Sequence, residues 1–444
     1  MYDNKKIFIL GMARSGYQVA KLLHKHGCEI LITDMQEQDE EKVRELSDLG
    51  INLIITSEPE NLLDDSFSYV VKNPGIKLDH KVCLKAKTLN IPVINEVEVA
   101  YNYLPNNVKI IGITGSNGKT TTTTLTYEFL KEDNKPVHLG GNIGYPFSSL
   151  IESVKENDII VLELSAQQLH DFDDFKVNVA VLTNLTEVHL DHFKTYEYYK
   201  ETKKRIFRHQ DENDVAVLNQ NDLDTLNLTS DLKAKKLYFA RTKHADAYIE
   251  NNYIYYKNEK IINIDNIKIK GNHNYENIMA AIIAVKQFNV SNEAIVNVLE
   301  TFTGVSHRLQ FVKNVNGRDF YNDSKATNVK STTIALSAFN KPTILLLGGL
   351  DRGHLFDGLL PYMKNVKKVI CYGETKERIL EFCNNNNIDC EKVDVLKEAV
   401  NLAYKNSVEG DVILLSPACA SWDQYKKFED RGDDFIDCVN RIGE

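Results

Sequence analysis

The sequence predicts an α/β chain of three domains: a Rossmann-like N-terminal domain over residues 1–100, a central P-loop ATPase-type parallel-sheet domain over 101–302, and a Rossmann-like C-terminal domain over 303–444. Three observations carry this expectation. The length of 444 residues corresponds to about three domains at roughly 150 residues each. A short apolar run, a glycine turn and an amphipathic stretch recur along the chain, the rhythm of βαβ units in a mostly parallel sheet. Two of those turns, after Leu10 and after Thr114, have the composition of phosphate-binding loops.

The elements follow in order. KKIFILG reads as a strand and turn, Tyr17 to His26 as a helix, and CEILITD, SYVVKNPGI and IPVINEVE as further strands. Tyr101 to Asn107, with its proline and paired asparagines, is a plausible seam. The middle segment opens on VKIIGITGSNGKTTTT and holds the apolar strands DIIVLELS and VNVAVLTNL. A Tyr- and Ile-rich stretch from Tyr248 to Ile269 has hairpin character, and a helix follows Gly271. The last segment, starting near Thr303, holds DFYNDS, PTILLLGG, KKVICYG and DVILLSPACAS, with Asn384 to Asn387 read as a loop.

Composition narrows the function classes. Apolar residues make up 43% and charged residues 26%, the profile of a globular chain rather than a disordered or fibrous one. Lys+Arg 53 against Asp+Glu 63 leaves a net charge of -10, the wrong sign for a general nucleic-acid or anionic-membrane binder. The amino terminus lacks the apolar core of a signal peptide, and no apolar run is long enough to span a bilayer. The 7 cysteines form no CxxC pair and mostly sit in apolar segments, so reduced thiols and a cytoplasmic location are expected.

The sharpest chemical signal is Ile111-Gly-Ile-Thr-Gly115-Ser116-Asn117-Gly118-Lys119-Thr120-Thr121, between an apolar strand and a helix-compatible run. Glycines let backbone N–H groups close around phosphate oxygens, and the helix N-terminus adds a favourable dipole. Lys119 would reach the β- and γ-phosphates and Thr120 would ligate Mg²⁺. The strict P-loop pattern needs glycine at position 113, where this chain has Ile113. Glu163 ends the apolar strand DIIVLE, at the sheet edge where open α/β folds place ligands. A buried carboxylate there calls for a cation; a half-exposed edge residue is the plainer alternative. In His189-Leu-Asp191-His192 the spacing fits no common zinc site. His189 is read as a single Mg²⁺ or substrate contact, and His192 as a surface histidine.

Gly11-Met-Ala13-Arg14-Ser15-Gly16, with Asp34 ending the next strand, resembles the dinucleotide fingerprint. Ala13 replaces the glycine that lets backbone approach a pyrophosphate, so a diphosphate-bearing nucleotide fits better than hydride chemistry. Asn73-Pro74-Gly75-Ile76 would line the same crevice.

TGSNGKTT, GGNIG, ELSAQQL, TNLTEVHLDHF, GNHNYEN, SHR, NDSKATN, GGLDRG and SPACASWDQYKKFEDRG occur in that order over nearly the whole chain. In them the sequence resembles the Mur ligases, the ATP-dependent amide-forming family of peptidoglycan precursor synthesis. The last three resemble the D-glutamate-adding branch.

The resemblance implies roles by position. Ala13, Arg14, Ser15, Asp34, Asn73 and Gly75 would hold the UDP-sugar, although the family more often has serine where Asn73 stands. Asn142 and His189 would contact the muramoyl-alanine end. Asn277, Arg308, Asp323 and Lys325 would join Gly115 to Thr121 on ATP. Thr327, Arg352, Ser421 and Phe428 would hold D-glutamate; Arg352 stands where some relatives have lysine. Read from its residues alone, Tyr199-Lys-Glu-Thr-Lys203-Lys204-Arg205 is a solvated basic face. The resemblance instead makes Lys203 a carbamylated lysine that binds a second Mg²⁺ with Glu163 and His189, with Lys204 as the neighbouring candidate. Lys119, His189 and Lys203 become the catalytic set.

The cofactors implied are ATP and two Mg²⁺ ions, with Mn²⁺ a substitute. The partners implied are UDP-N-acetylmuramoyl-L-alanine, D-glutamate and ATP, acted on by a cytoplasmic monomer with no nucleic-acid or membrane partner. Three rivals stand beside this reading. They are an amide ligase on the same scaffold for L-lysine or for glutamyl units on folate, a nicotinamide-dependent dehydrogenase, and a nucleotide sensor that releases no phosphate.

Overall fold

A computed structural model describes residues 2–188 and 190–442, without the side chains of Leu190 and Asp191. The chain forms two compact units, Met1–Thr301 and Phe302–Glu444. The first unit contains two sheets and the second contains one.

The first sheet is built from β1 (Lys6–Leu10), α1 (Ala13–Lys25), β2 (Glu29–Asp34), α2 (Glu40–Asp48), β3 (Asn52–Ile55), β4 (Tyr69–Lys72), α3 (Lys81–Thr88), β5 (Val93–Ile94) and α4 (Glu96–Tyr101). Its strands run parallel in the order β3-β2-β1-β4-β5. The core is the apolar faces of Ile7, Ile9, Val19, Leu23 and Ile32, all buried. Helix α1 begins inside the glycine turn, so Ala13, Arg14 and Ser15 occupy its first turn. Two readings of the sequence change here. IPVINEVE yields only a two-residue strand, because the Asn95 side chain accepts the N–H groups of Val97 and Glu98 and starts α4. Such a cap, followed by acidic residues, favours helix over strand. Strand β3 is an added edge strand, whose half-exposed NLII pattern is too short to stand out.

The second sheet comprises β6 (Lys109–Thr114), α5 (Lys119–Glu132), β7 (Val137–Gly141), β8 (Ile159–Glu163), α6 (Ala166–His170), β9 (Val179–Leu182), α7 (Leu190–Phe193), α8 (Tyr196–Lys204), β10 (Val215–Asn219), α9 (Leu223–Leu228), β11 (Lys235–Ala240), β12 (Ala247–Glu250), β13 (Tyr253–Tyr256), β14 (Glu259–Asn263), α10 (Asn272–Lys286) and α11 (Asn292–Thr301). The order is β14-β13-β12-β11-β10-β9-β6-β8-β7. Strands β12 to β14 form an antiparallel meander where the hairpin was expected. The central strands β6, β8 and β9 are nearly continuous apolar runs, as strands covered on both faces must be.

Helix α4 and the loops of the second sheet join the two sheets of this unit. Asn95 Nδ2 donates to the Gln168 carbonyl at 2.6 Å. Glu98 accepts the backbone N–H groups of Asp173, Asp174 and Phe175. Glu96, 3% exposed, accepts the Ser148 N–H. Burial raises the Glu96 carboxyl from 4.5 to about 7. Because the folded form holds its proton more tightly, it binds more protons than the unfolded chain between those values, and stability falls as pH rises through that window. Glu96→Gln keeps the acceptor without the charge. Its melting temperature relative to wild type should therefore be higher at pH 8 than at pH 5, which a thermal denaturation series checks.

The second unit comprises β15 (Gln310–Val315), β16 (Arg318–Asn322), α12 (Val329–Ser337), β17 (Thr343–Gly348), β18 (Val366–Tyr372), α13 (Lys376–Asn385), β19 (Cys390–Lys392), α14 (Leu396–Asn406), β20 (Val412–Leu415) and α15 (Phe428–Asn440). Its sheet has the order β15-β16-β20-β17-β18-β19, parallel except for the β15–β16 hairpin. Asn384 and Asn385 close α13 rather than opening a loop, since the buried Ile379, Phe382 and Cys383 carry the helix past them.

Candidate active site

The loop between β6 and α5 leaves the sheet between β8 and β9, at the carboxyl edge. Gly115 and Gly118 have φ of +147° and +80°. A Cβ on Gly115 would meet Thr183 Oγ1 at 1.9 Å, and one on Gly118 would meet Asn277 Oδ1 at 2.1 Å. Only glycine allows both the backbone turn and these neighbours. Asn277, from α10, thus lies directly against the loop.

Residues that the sequence reading passed over brace the loop from behind. Thr183 Oγ1 donates to the Asn117 carbonyl at 2.6 Å. The Asn117 N–H donates to Asn184 Oδ1 at 3.0 Å, and Asn184 Nδ2 returns a bond to the Asn117 carbonyl at 3.1 Å. The Ser116 hydroxyl lies 3.0 Å from that of Tyr199 and accepts the Thr186 N–H at 2.9 Å. The run Thr183-Asn184-Leu-Thr186 directly after a strand was the available signal, but without the strand order it has no assigned partner. Lys119, at the first position of α5, folds back over the loop, with Nζ donating to the carbonyls of Gly115 and Ser116 at 2.9 Å each.

Glu163 ends β8 and is 2% exposed, so it is an interior carboxylate and not a half-exposed edge residue. Asn142 Nδ2 donates to Glu163 Oε1 at 2.7 Å, and the Asn142 N–H donates to the Glu163 carbonyl at 2.9 Å. Oε2 is buried with no hydrogen-bond partner among the described residues. An orphaned carboxylate oxygen at a phosphate loop is the donor a hard divalent cation takes.

Lys203 corrects the residue-level reading most sharply. It is 1% exposed, on the face of α8 turned into the protein, because Tyr199 and Thr202 on that face are buried as well. Its Nζ donates to Thr114 Oγ1 at 3.0 Å and sits 5.0 Å above the Tyr199 ring. Among the described residues, no carboxylate lies within ion-pair distance of it. Burial, reinforced by the Lys119 charge and opposed by Glu163, pushes its amine well below the usual lysine range. Lys204 points away and pairs with Asp231 at 2.9 Å. His189 lies outside the described residues, and His192 is half-buried with its ring 4.7 Å from that of Phe193. Thr120 is buried at the start of α5, beside half-buried Thr121.

At the first sheet, Asp34 accepts the Met12 N–H at 2.9 Å and the Met35 N–H at 2.7 Å. Asp34, Ala13 and Asn73 line a cavity of about 560 Å³. Ala13, Arg14, Ser15, Asn73, Gly75 and Asn142 line a second, of about 310 Å³, reaching the second sheet of the same unit. The described residues assigned to the sugar nucleotide thus line two cavities that have Ala13 and Asn73 in common.

Arg308, Asp323, Lys325, Thr327, Arg352, Ser421 and Phe428 belong to the second unit. Asp323 follows β16 and accepts Ser416 Oγ at 2.8 Å and the Leu309 N–H at 3.2 Å. Burial raises its carboxyl to about 7. Arg308 is exposed and Thr327 half-buried. Lys325 lies 5.9 Å above the Phe428 ring, and exposed Arg352 stacks on Trp422 at 4.7 Å. Ser421 is 1% exposed, and its hydroxyl has no hydrogen-bond partner among the described residues. Fully buried Arg431, which the sequence reading passed over, ties these loops together. It donates to Ser324 Oγ at 2.9 Å, the Ser324 carbonyl at 2.9 Å and the Cys419 carbonyl at 3.1 Å.

Residues 113–285 match the family model described as Mur ligase middle domain, and residues 307–419 that described as Mur ligase, glutamate ligase domain. Proteins of Bacillus cereus (strain AH820) and Bacillus anthracis (strain A0248), each named UDP-N-acetylmuramoylalanine–D-glutamate ligase, are 46% identical over 99% of this chain and 98% of their own length. Among solved structures, the UDP-N-acetylmuramate-alanine ligase MurC of Thermotoga maritima superposes with a TM-score of 0.59 at 19% identity, covering 99% of this chain and 100% of that one. MurF of Acinetobacter baumannii gives 0.56 at 17% identity, over 94% and 86%. At these identities the superpositions speak for the fold alone.

Proposed function

The chain belongs to the Mur ligase family, and on that premise we propose that it joins D-glutamate to UDP-N-acetylmuramoyl-L-alanine in an ATP-dependent, amide-forming reaction. The observation that carries the chemistry is the convergence of the phosphate loop, the orphaned Glu163 oxygen and the buried Lys203 amine at the ends of β6 and β8. The choice of D-glutamate rests on the 46% identity to ligases of that name over 99% of the chain.

In this reading the alanyl carboxylate attacks the γ-phosphorus of ATP, ADP departs, and an acyl phosphate forms. The amine of D-glutamate then attacks the acyl carbon, and inorganic phosphate leaves with the oxygen that had belonged to the carboxylate. The loop N–H groups cradle the phosphates, and Lys119 exchanges its carbonyl contacts for phosphate oxygens. Asn142 holds Glu163 and faces the sugar-nucleotide cavity. Thr120, Glu163, His189 and Lys203 would hold two Mg²⁺ ions, or Mn²⁺ in their place. The ions supply positive charge opposite the transferring phosphoryl group.

Lys203 suits carbamylation because burial, with the nearby Lys119 charge, disfavours the charged form of its amine. The lone pair of the neutral amine can add to carbon dioxide and release a proton, which converts a buried amine into a carboxylate-like ligand. Asn277, Arg308, Asp323 and Lys325 would bind the nucleotide, and Thr327, Arg352, Ser421 and Phe428 the amino acid. Domains over 1–100, 101–302 and 303–444 would bring sugar nucleotide, ATP and amino acid in turn. No helix among the described residues is long and apolar enough to cross a membrane. We place the enzyme in the cytoplasm as a monomer, serving cell-wall synthesis and thereby cell shape and division.

The test follows one oxygen. With ¹⁸O in the alanyl carboxylate, the label should appear in inorganic phosphate when ATP and D-glutamate are both present. Unlabelled phosphate formed alongside product would rule out the acyl phosphate.

A further inference from the structure

Lys72, the last residue of β4, is 2% exposed and is not among the residues that the family resemblance assigns. Its Nζ donates to the Ile76 carbonyl at 2.7 Å and the Asn73 carbonyl at 3.4 Å, across the turn assigned to the sugar nucleotide. It also pairs with Asp171 Oδ2 at 2.9 Å, with both side chains 2% exposed. Asp171 directly follows α6, the helix that begins just past Glu163. Its other oxygen lies 3.0 Å from His170 Nδ1. The far nitrogen of that ring, Nε2, is 2.5 Å from the Tyr198 hydroxyl. Tyr198 stands on α8, which carries Lys203.

A polar strut therefore runs within one unit from the Asn73 turn, through α6, to α8. At its first end, Asn73 Nδ2 donates to Ser15 Oγ at 3.3 Å, and Asn73 lines the cavity of about 310 Å³ shared with Ser15 and Asn142. At its other end stand the helices that follow Glu163 and bear Lys203. Two charges removed from water this completely are no more stabilising than well-packed apolar side chains of similar volume. What they add is direction: an ammonium group with fixed acceptors sets where the turn carbonyls lie.

We propose that Lys72 and Asp171 are positioning residues. Together they set the sugar-nucleotide turn in register with the phosphate site, so that the alanyl carboxylate arrives aligned with the γ-phosphate. This inference rests on the sugar-nucleotide reading above.

The full-length protein is compared with Lys72→Met, Asp171→Leu, and the two combined. Melting temperature, binding of UDP-N-acetylmuramoyl-L-alanine by calorimetry, and KM for both that substrate and ATP are measured. Each single change strands one buried charge and should lower the melting temperature, whereas the double change removes both charges and should restore it. The KM for the sugar nucleotide should rise about tenfold or more in all three variants, with the KM for ATP within about threefold of wild type. If a single variant fails to fold, the double variant decides. If the double variant fails to fold as well, Lys72→Arg decides: it keeps the charge but reshapes the contacts, and the same selective rise is expected. Recovery of sugar-nucleotide KM together with stability in the double variant would make the pair purely structural and overturn the inference. So would wild-type KM in every folded variant. Wild-type protein that fails to bind the sugar nucleotide would instead overturn the functional reading itself, before any variant is compared.

Discussion

Replacing Lys119 with alanine should lower kcat by roughly two to four orders of magnitude while leaving the melting temperature near that of wild type. The catalytic loss follows from removing a fixed positive charge at the transferring phosphoryl group, worth about 3–5 kcal/mol in a water-poor site. The stability change is small because, before substrates fill the site, the ammonium and the Ser116 carbonyl are only half-buried, next to exposed Asn117, so water can take over much of what the ammonium supplies there. Steady-state kinetics and thermal denaturation on the same preparation check both halves. Turnover at the wild-type level would remove Lys119 from the phosphate site.

Lys203→Met should lose at least as much turnover, with unchanged or higher stability near neutral pH. The thioether fills the same interior space without a desolvated amine. Lys203 has a folded-state pKa below its ordinary 10.5, so between the two values the unfolded chain binds more protons than the folded one. Stability contributed by Lys203 therefore rises with pH across that window and is lost as pH falls through the folded value. Any stability advantage of Lys203→Met should thus shrink from pH 7 towards pH 10. Carbamylation has its own signature. Wild-type enzyme prepared free of carbon dioxide should lose activity and recover it with bicarbonate, whereas Lys203→Met should not respond. Full activity without carbon dioxide would leave Lys203 unmodified and remove it from the proposed metal set.

The two residues differ in how legible they were. Lys119 stands in a contiguous run of glycines between a strand and a helix, so local pattern alone assigns it a role. Lys203 stands among lysines and an arginine, where local pattern predicts a solvated face; only the motif resemblance separated it from Lys204. Its burial comes from packing the face of α8 that carries Tyr199 and Thr202 inward, which brings Lys203 against Thr114 at the end of β6, a tertiary arrangement with no local trace. The same holds for Arg431, whose acceptor Ser324 lies 107 positions away in sequence. It holds too for the Lys72–Asp171 pair, which joins the ends of β4 and α6. Strand rhythm identified the buried strands β6, β8 and β9, whose continuous apolar runs mark themselves. It failed at β3 and at α4, where a short edge strand and a single capping asparagine decide the outcome, and it passed over β7, β10, β11, β15 and β19.

The most direct measurement is phosphate release from ATP in the presence of UDP-N-acetylmuramoyl-L-alanine, with D-glutamate, L-glutamate, L-lysine or L-alanine added in separate reactions. The account predicts release with D-glutamate alone, accompanied by the mass gain of one glutamyl residue on the sugar nucleotide. Release with another amino acid would contradict the specificity assigned to the second unit, and no release with any of them would contradict the ligase reading.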